Sequence, residues 1–511
     1  MLSAGMVRLK GQSGWAKGGP ISGSDFLQLR AEDAPAKGLT AWLTAGLRDA
    51  IAGRRLAPGT RLPATRVLAD DLSISRGVVV EAYQRLIDEG LATGRTGAGT
   101  TVTGISDESD LGRDRRRAMS ALRLPFPAPD GIDIDLSPGV PDLSAFPRKQ
   151  WLRAERAVLD EVTAADLGYG DPGGSPRLRA ELIGWLRRTR GIRAEADDII
   201  VVSGVAQALA LLAQTLRANG VTTAAVEDPG SRGAKDQMAH WGVRPEGVPV
   251  DDEGIRVDRI TQEAAVLTPA HQFPTGVVLS PARRRALLDW GGLIVEDDYD
   301  AEHRYDRAPV AALQGSAPDR VAYAGSVSKS LAPGMRLGWL IAPRRMQPAL
   351  LEAKHDSDLG NPALPQLVLA HLLATGDYEK HLRLVRSRQR RRRDALLAGL
   401  RTHLPQAQVT GVAAGLHLLI LLPGETPDET AGTPDETAGS PDETGGTPDQ
   451  TGKKPDELMA ERAAARGVLV HPLSWHRHRP GPPGLVLGYA AQPPDRLAEA
   501  AKRLGVALTR P

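Results

Sequence analysis

The segment GLIVEDDYD, residues 292–300, decides the fold of the larger part of the chain. Its apolar run, residues 293–295, is too short for a helix and ends at acidic side chains, as buried strands do. Similar runs, several of them separated by helix-length segments, are DIIVVSG at 198–204, TTAAVEDPG at 222–230, AAVLTPA at 264–270 and VAYAGS at 321–326. We therefore predict an α/β fold in which a mostly parallel sheet is buried between helices.

Polar or small residues follow the ends of these apolar runs. The carboxyl ends of parallel strands meet at one edge of a sheet, where ligands bind in such folds. The residues at these ends are Ser203, Gly204, Glu227, Asp228, His271, Asp297 and Ser326. The runs therefore predict a binding site assembled from segments that are far apart in sequence.

The first hundred residues follow another pattern. Apolar residues recur every four positions from Leu39 to Ile51, which predicts an amphipathic helix. The predicted elements are helices over 39–56, 64–72 and 75–89 and a glycine- and threonine-rich β-hairpin over 91–104. Three short helices followed by a hairpin predict a winged helix-turn-helix.

The domain organisation follows from these patterns. We predict a flexible leader over 1–35, a winged helix-turn-helix domain over 36–104, a linker over 105–131 and a large domain over 132–511 with a smaller C-terminal α+β lobe. Residues 424–455 contain the repeat TPDETAG, in which no position is apolar and each copy holds a proline, so they predict a disordered insertion. The insertion is interpreted as a tolerated loop expansion; a binding tail is the alternative.

Composition excludes several classes of protein. The chain has 511 residues, no cysteine, and 64 basic against 62 acidic residues, so neither a disulfide framework nor thiolate chemistry is expected. No apolar run is long enough to span a bilayer, and the N-terminus lacks the apolar core of a secretory signal. We expect a cytoplasmic protein that does not bind membranes and has no metal site.

Residues 62–102 resemble the GntR family of winged-helix repressors. They contain that family's Leu-Pro-x-x-Arg, Ser-Arg, Ala-Tyr-x-x-Leu, Glu-Gly and Gly-x-Gly-Thr motifs in order. The resemblance implies that the third helix enters the major groove of an operator, and it departs from the family at Ala64, where a serine often contacts phosphate. The implied DNA-binding residues are Arg66, Ser75, Arg76, Gly77, Arg95, Thr96 and Gly97, with Gly99 completing the wing.

Arg76 also stands out on physical grounds. It falls in the first turn of the third helix, where the helix dipole disfavours a cation. Its alternative is a solvated surface arginine, but in a helix-turn-helix this turn faces base edges that arginine can bind bidentately. We therefore predict that Arg76 reads a guanine.

Three further segments resemble the aminotransferase-like domain of MocR regulators, a GntR subfamily: TPAHQFPTG at 268–276, IVEDDYDAEHRY at 294–305 and GSVSKSLAPGMRLGW at 325–339. The resemblance implies a fold-type-I domain that binds pyridoxal 5'-phosphate (PLP). In it Lys329 forms the imine with the PLP aldehyde, Asp297 holds the pyridine nitrogen, and Tyr299 and either His271 or Gln272 face the ring hydroxyl. The alternatives are a surface lysine at 329 and an acidic pair that caps a strand at 296–297.

The phosphate of PLP requires backbone N–H groups at a helix start, hydroxyls and a cation. The residues that resemble this phosphate site are Ser203, Gly204, Val205, Gln207, Ser326, Ser328 and Arg336. Tyr169, in LGYGDPGG, resembles a tyrosine that reaches the phosphate of the neighbouring subunit, although YGDP is equally compatible with a structural turn.

Two classes of function compete: a regulator whose aminotransferase scaffold serves as a sensor, and a PLP-dependent aminotransferase with an accessory DNA-binding domain. The winged helix favours the regulator. It also argues against a PLP storage protein, because such a function would leave the helix-turn-helix unexplained. The predicted partners are double-stranded operator DNA, a small-molecule effector (PLP or an amine or amino acid) and a second copy of the chain in a head-to-tail homodimer.

The predicted effector follows from a missing arginine. Aminotransferases usually grip the ligand carboxylate with an arginine near the C-terminus, but this position is Val486 in GLVLGY. Ser231 likewise replaces a tyrosine that the family often stacks near the cofactor. The sequence thus argues against a simple amino acid held by such a clamp and makes PLP itself a candidate effector, unless Arg477 or Arg479 supplies the charge.

Overall fold

A computed structural model describes residues 35, 37–53, 55–95, 99–103, 131–305, 310–411, 413–422 and 453–509. Contacts divide the chain into two compact units, Met1–Pro127 and Ala128–Pro511. The predicted leader, linker and insertion lie outside the described residues, apart from residues 35, 131 and 453–455. Their boundaries remain predictions.

The described residues of the N-terminal unit form three helices and a hairpin. These elements are α1 (Leu39–Ala52), α2 (Thr65–Asp71), α3 (Arg76–Asp88), β1 (Ala92–Arg95) and β2 (Gly99–Val102). The apolar residues of the predicted helix faces, among them Leu43, Leu47 and Val79, pack together in one core. Tyr83 belongs to the same core, and its hydroxyl donates a hydrogen bond to the backbone carbonyl of Pro63 at 3.0 Å. The predicted winged helix-turn-helix is confirmed, although α1 ends four residues earlier than expected, before Gly53.

An eight-stranded sheet forms the centre of the larger unit. Its strands are β4 (Ile199–Val202), β5 (Thr223–Asp228), β6 (Arg244–Asp251), β7 (Gly254–Ile255), β8 (Ala264–Leu267), β9 (Leu293–Asp297), β10 (Val321–Ser326) and β11 (Gly338–Ile341). The order is β4-β11-β10-β9-β8-β5-β6-β7, and β7 and β11 run in the direction opposite to that of the other six strands. The predicted mostly parallel sheet is confirmed, with all five predicted runs forming strands.

Helices cover both faces of this sheet, which explains why its central strands consist of apolar runs. They are α4 (Arg148–Glu161), α5 (Pro176–Arg190), α6 (Val205–Ala218), α7 (Arg232–His240), α8 (Pro281–Trp290), α9 (Gln347–Asp358) and α10 (Ala363–Ala374). Neighbouring residues of β4 point to opposite sides: Val201 belongs to one core and Ile200 to the other.

A smaller lobe follows α11 (Asp377–His403). It contains β12 (Gln408–Thr410), β13 (His417–Leu421), α12 (Pro455–Ala464), β14 (Val468–Leu469), β15 (His471–Pro472), β16 (Gly484–Gly488) and α13 (Pro494–Leu508). Its sheet has the order β12-β13-β16-β15. The early strand β3 (Ile134–Asp135) pairs in parallel with β14, so this lobe also takes a strand from the beginning of the unit. In the described ranges, no helix is long and apolar enough to cross a membrane.

Removing residues 426–453 should leave the fold intact. The deleted side chains have no apolar face, and the exposed ion pair between Lys453 and Glu461 contributes little. We expect a change of less than about 1 kcal/mol in the free energy of unfolding, measured by denaturant titration. A deletion extended to residue 464 is the control, because it removes α12 with its buried Ala463 and should destabilise the lobe. Unfolding by the shorter deletion would contradict the interpretation as a tolerated insertion.

Candidate DNA-reading helix and cofactor site

The start of α3 is open to solvent. Ser75, Arg76 and Gly77 are all exposed, and Ser75 makes no side-chain cap. The first turn has no acidic residue, and Arg76 Nε donates only a long bond of 3.3 Å to Thr65 Oγ1. A cation held so weakly at the positive end of a helix gains little in the isolated protein and remains available to a polyanion.

The remaining predicted DNA contacts are only partly described. Arg66 is exposed on α2, and Arg95 is the last residue of β1. Thr96 and Gly97 lie outside the described residues. Sequence reasoning missed Arg61, whose backbone bridges to Thr101 and whose guanidinium lies against Gly99: a Cβ on that glycine would come within 2.8 Å of Arg61 Nε. The one sequence feature that could have indicated Arg61 is its position directly before the Leu-Pro motif.

Lys329 follows β10 at the polar edge of the large sheet. Its Nζ donates to the carbonyl of Gly139 at 2.7 Å. Burial lowers the pKa of the Lys329 ammonium, while Asp297 and Asp300 oppose that shift. A lysine that is half-buried and easily deprotonated can act as a nucleophile toward an aldehyde.

Asp297 ends β9, the strand beside β10, and pairs in register with Ala324. Its Oδ1 is buried and has no hydrogen-bond partner among the described residues. Burial, together with Asp298 and Asp300, raises the pKa of Asp297 to about 7. A buried carboxylate oxygen without a donor is costly, and the N–H of a protonated pyridine would satisfy it. The site therefore fits the ring nitrogen of PLP.

The turn between β4 and α6 has the geometry required for a phosphate. Gly204 has φ 97°, a left-handed conformation that other residues rarely adopt, and α6 begins at the next residue, Val205. The Arg336 guanidinium lies opposite this turn, because a Cβ on Gly204 would be 3.5 Å from Arg336 Nη1. Ser326 and Ser328 adjoin each other, with the Ser328 N–H donating to Ser326 Oγ at 3.3 Å. A helix start, hydroxyls and a cation are therefore available.

Gln207 supports this turn from within the protein. Its Oε1 accepts from the Ser203 N–H at 2.7 Å, and its Nε2 donates to Asp358 at 2.7 Å. Asn361, which sequence reasoning missed, donates to Ser203 Oγ at 3.0 Å and has a buried Oδ1 without a partner among the described residues. Both ends of the Gln207 amide are therefore engaged within the protein. A direct contact from Gln207 to the cofactor remains a prediction.

His271, rather than Gln272, is the member of the predicted pair that contacts Tyr299. His271 Nδ1 lies 3.1 Å from Tyr299 Oη and 2.8 Å from Asp300 Oδ2. The amide of Gln272 is occupied elsewhere: it donates to the carbonyl of Pro229, in the segment after β5, at 2.8 Å and accepts from the Thr275 N–H. Asp300 was missed by sequence reasoning because its contact with His271 spans 29 residues.

Two positions at which related proteins often have an arginine and a tyrosine near the ligand hold Val486 and Ser231 in this chain. Val486 is fully buried among Leu419 and Leu473 and contributes no charge. Ser231 caps α7 by accepting from the Ala234 N–H at 3.3 Å. The described part of the site therefore contains no carboxylate clamp at either position.

Arg477 and Arg479 belong to a loop that is fixed to the end of β5. The Asp228 carboxylate accepts from the backbone N–H of His478 at 2.7 Å and of Arg479 at 3.2 Å. Burial lowers the pKa of Arg477, and Asp228 and Asp456 oppose this. Supplying the missing charge would require Arg477 or Arg479 to reorient on this anchored loop.

The side chain of Tyr169 is 87% exposed. An exposed tyrosine of this kind is available to another molecule. Its contact with a neighbouring subunit remains a prediction.

Two family models match the chain. Residues 40–102 match bacterial regulatory proteins of the gntR family, and residues 132–475 match aminotransferase class I and II. The second match covers most of the chain and coincides with the unit that contains Lys329 and Asp297.

Similar proteins share this arrangement. The probable rhizopine catabolism regulatory protein MocR of Rhizobium meliloti is 29% identical, over 90% of this chain and 91% of that protein. The HTH-type pyridoxine biosynthesis transcriptional regulator PdxR of Corynebacterium glutamicum is 33% identical, over 74% of this chain and 82% of that protein. The chain belongs to the MocR-type transcription regulators, in which a GntR helix-turn-helix domain is joined to an aminotransferase-like domain.

Solved structures agree on the fold of the larger unit. The multiple substrate aminotransferase from Thermococcus profundus has a TM-score of 0.64 and 25% identity, covering 77% of this chain and 94% of that one. The kynurenine aminotransferase of Pyrococcus horikoshii, in complex with PMP, has a TM-score of 0.62 and 25% identity over 77% and 93%.

Replacing Arg76 with alanine should weaken operator binding in a sequence-dependent way. If Arg76 reads a guanine, its loss should cost about 1–3 kcal/mol at one base position. Arg85→Ala is the matched control, because Arg85 lies on the same helix and pairs with Glu81 at 3.2 Å. Binding is measured on operator variants by fluorescence anisotropy. An equal loss on all sequences would make Arg76 a backbone contact instead.

Proposed function

We propose that the larger unit binds PLP through Lys329 and uses its occupancy to control operator binding by the winged helix. The observation that carries this proposal is the buried Oδ1 of Asp297, which has no hydrogen-bond partner among the described residues and lies at the end of β9, beside the strand that leads to Lys329. When bound, PLP would supply an aldehyde for the lysine and an electron-withdrawing ring. The chain would hold its ring nitrogen with Asp297, its ring hydroxyl with Tyr299 and its phosphate with the turn at Gly204 and with Arg336.

The unit is proposed to act as a sensor, not as an aminotransferase. The absence of an arginine at Val486 supports this, since a bound amino acid would lose its strongest orienting contact there. The competing function is an aminotransferase with an accessory DNA-binding domain, favoured by the similarity to aromatic-amino-acid aminotransferase 1 of Thermococcus litoralis, which is 28% identical over 73% of this chain.

The proposed partners are operator DNA, a second copy of the chain and PLP or an amine ligand. A head-to-tail homodimer would carry two reading heads for two half-sites, and the exposed Tyr169 would reach the neighbouring phosphate site. The similarity to a pyridoxine biosynthesis regulator supports PLP itself as the effector and control of vitamin B6 metabolism, with amino-acid metabolism as the alternative.

The attachment site can be tested chemically. Borohydride reduction of the yellow, PLP-loaded protein should fix pyridoxyl on Lys329, as found by peptide mass mapping. Two other buried lysines, Lys235 and Lys354, serve as internal controls and should remain unlabelled. A label on either control, or no label after PLP addition, would exclude Lys329 as the site.

The sensing function can be tested on the operator. Unloaded and PLP-loaded protein are compared for binding to the chain's own promoter region at fixed salt, because phosphate contacts make affinity strongly salt-dependent. We expect PLP loading to change the operator Kd, and a panel of amino acids including γ-aminobutyrate to add little. Release of DNA by one amino acid, with no effect of PLP, would overturn the vitamin-sensor proposal. Repeated turnover of an amino acid and a keto acid would favour the aminotransferase.

A further inference from the structure

Asp300 is a buried carboxylate for which the proposed function has no role. It is 2% exposed and lies three residues beyond Asp297. Its Oδ2 is 2.8 Å from His271 Nδ1, and the same nitrogen is 3.1 Å from the hydroxyl of Tyr299. Carboxylate, imidazole and phenol therefore form one contiguous group, in which Tyr299 and His271 are predicted to face the cofactor ring and Asp300 has no assigned role.

The small lobe fixes this group from the other side. The Gly415 N–H donates to the carbonyl of His303 at 2.9 Å, and the Gly415 carbonyl accepts from the hydroxyls of Tyr489, at 2.6 Å, and of Tyr305. A Cβ on Gly415 would lie 2.5 Å from His271 Nδ1 and 2.8 Å from Asp300 Oδ2. Because the backbone is packed so closely, the imidazole and the carboxylate have little room to separate.

The charges around Asp300 make its ionised form the stable one. Burial opposes ionisation, but the attraction and hydrogen bond of His271 are the main causes that outweigh it, so the pKa of Asp300 lies below its usual value. Burial, followed by Asp300, raises the pKa of Tyr299, which keeps the phenol neutral. The titratable groups around Asp300, Tyr299 and Lys329 are Asp297, His271, His303, His417 and Glu227.

We propose that Asp300 is a positioning residue: with His271 it holds the Tyr299 hydroxyl at the cofactor ring, and it places a fixed negative charge beside Lys329. This rests on the proposed function of Lys329 and Tyr299 in binding PLP. A neutral phenol bound to a buried anion and an imidazole has a defined orientation before the cofactor arrives. The negative charge favours the protonated form of the nitrogen that joins Lys329 to PLP.

The test is the pH dependence of visible absorbance in PLP-loaded protein. Asp300→Asn keeps the shape and removes the charge, so the midpoint of the absorbance change should fall by about one pH unit or more. Glu302→Gln is the matched control: burial raises the pKa of Glu302 to about 8, so this nearby carboxyl is largely uncharged at neutral pH. Its midpoint should stay within about 0.2 pH unit of wild type.

The outcomes separate this inference from the proposed function. If wild-type protein shows no absorbance from lysine-bound PLP, the proposed function is wrong. If wild type titrates and Asp300→Asn has the same midpoint, the positioning role is overturned. Should Asp300→Asn fail to fold, His271→Asn decides, since it leaves the carboxylate without its imidazole. A midpoint shift of about half a pH unit or more in that variant supports the role, and coincidence with wild type overturns it.

Discussion

The ion pair between Arg190 and Asp298 is the interaction on which the cofactor edge of the sheet depends. Arg190 Nε and Nη2 contact the two oxygens of Asp298 at 2.6 and 2.9 Å, and the hydroxyl of Tyr323 donates to the same carboxylate at 2.6 Å. Without this guanidinium, the buried Asp298 carboxylate would lose the cation that is paired with it. Removing one partner of such a buried pair typically costs about 3–5 kcal/mol.

Side chains alternate between the two faces along β9, so the acidic residues at its end, 296–298, have different neighbours and different roles. Successive side chains point to opposite faces, so Glu296 and Asp298 share one face and Asp297 points to the other. Glu296 accepts from the backbone N–H of Leu313 at 3.1 Å, and Asp298 binds Arg190. Both are thus used to hold the structure together. Of these three carboxylates, Asp297 is the one with a buried oxygen that has no hydrogen-bond partner in the described part of the chain, and the alternation along the strand produces this separation.

Much of the fold and part of the site could be predicted from the sequence. Apolar runs predict strands because burial on both faces requires them, and the residues that end those runs include Ser203, Asp297 and Ser326. Strand β6 was missed because Pro245, Gly247 and Pro249 interrupt its apolar pattern. Asp300 and Gly415 were missed for a different reason. Asp300 matters through its contact with His271, 29 residues away, and Gly415 through its packing against segments more than a hundred residues away, so no local pattern indicates either residue.

Strand β3 acts as a tether between the two ends of the larger unit. Its residues pair with β14 in the small lobe, and the carbonyl of Leu136 accepts from the Gly488 N–H at 2.7 Å. A few residues later, the carbonyl of Gly139 receives the ammonium of Lys329. A single short stretch of chain is therefore tied at one end to the small lobe and at the other to the lysine. Any chemistry that takes the lysine away from Gly139 releases the end of this stretch that is nearer the cofactor site, while β3 stays paired with the small lobe.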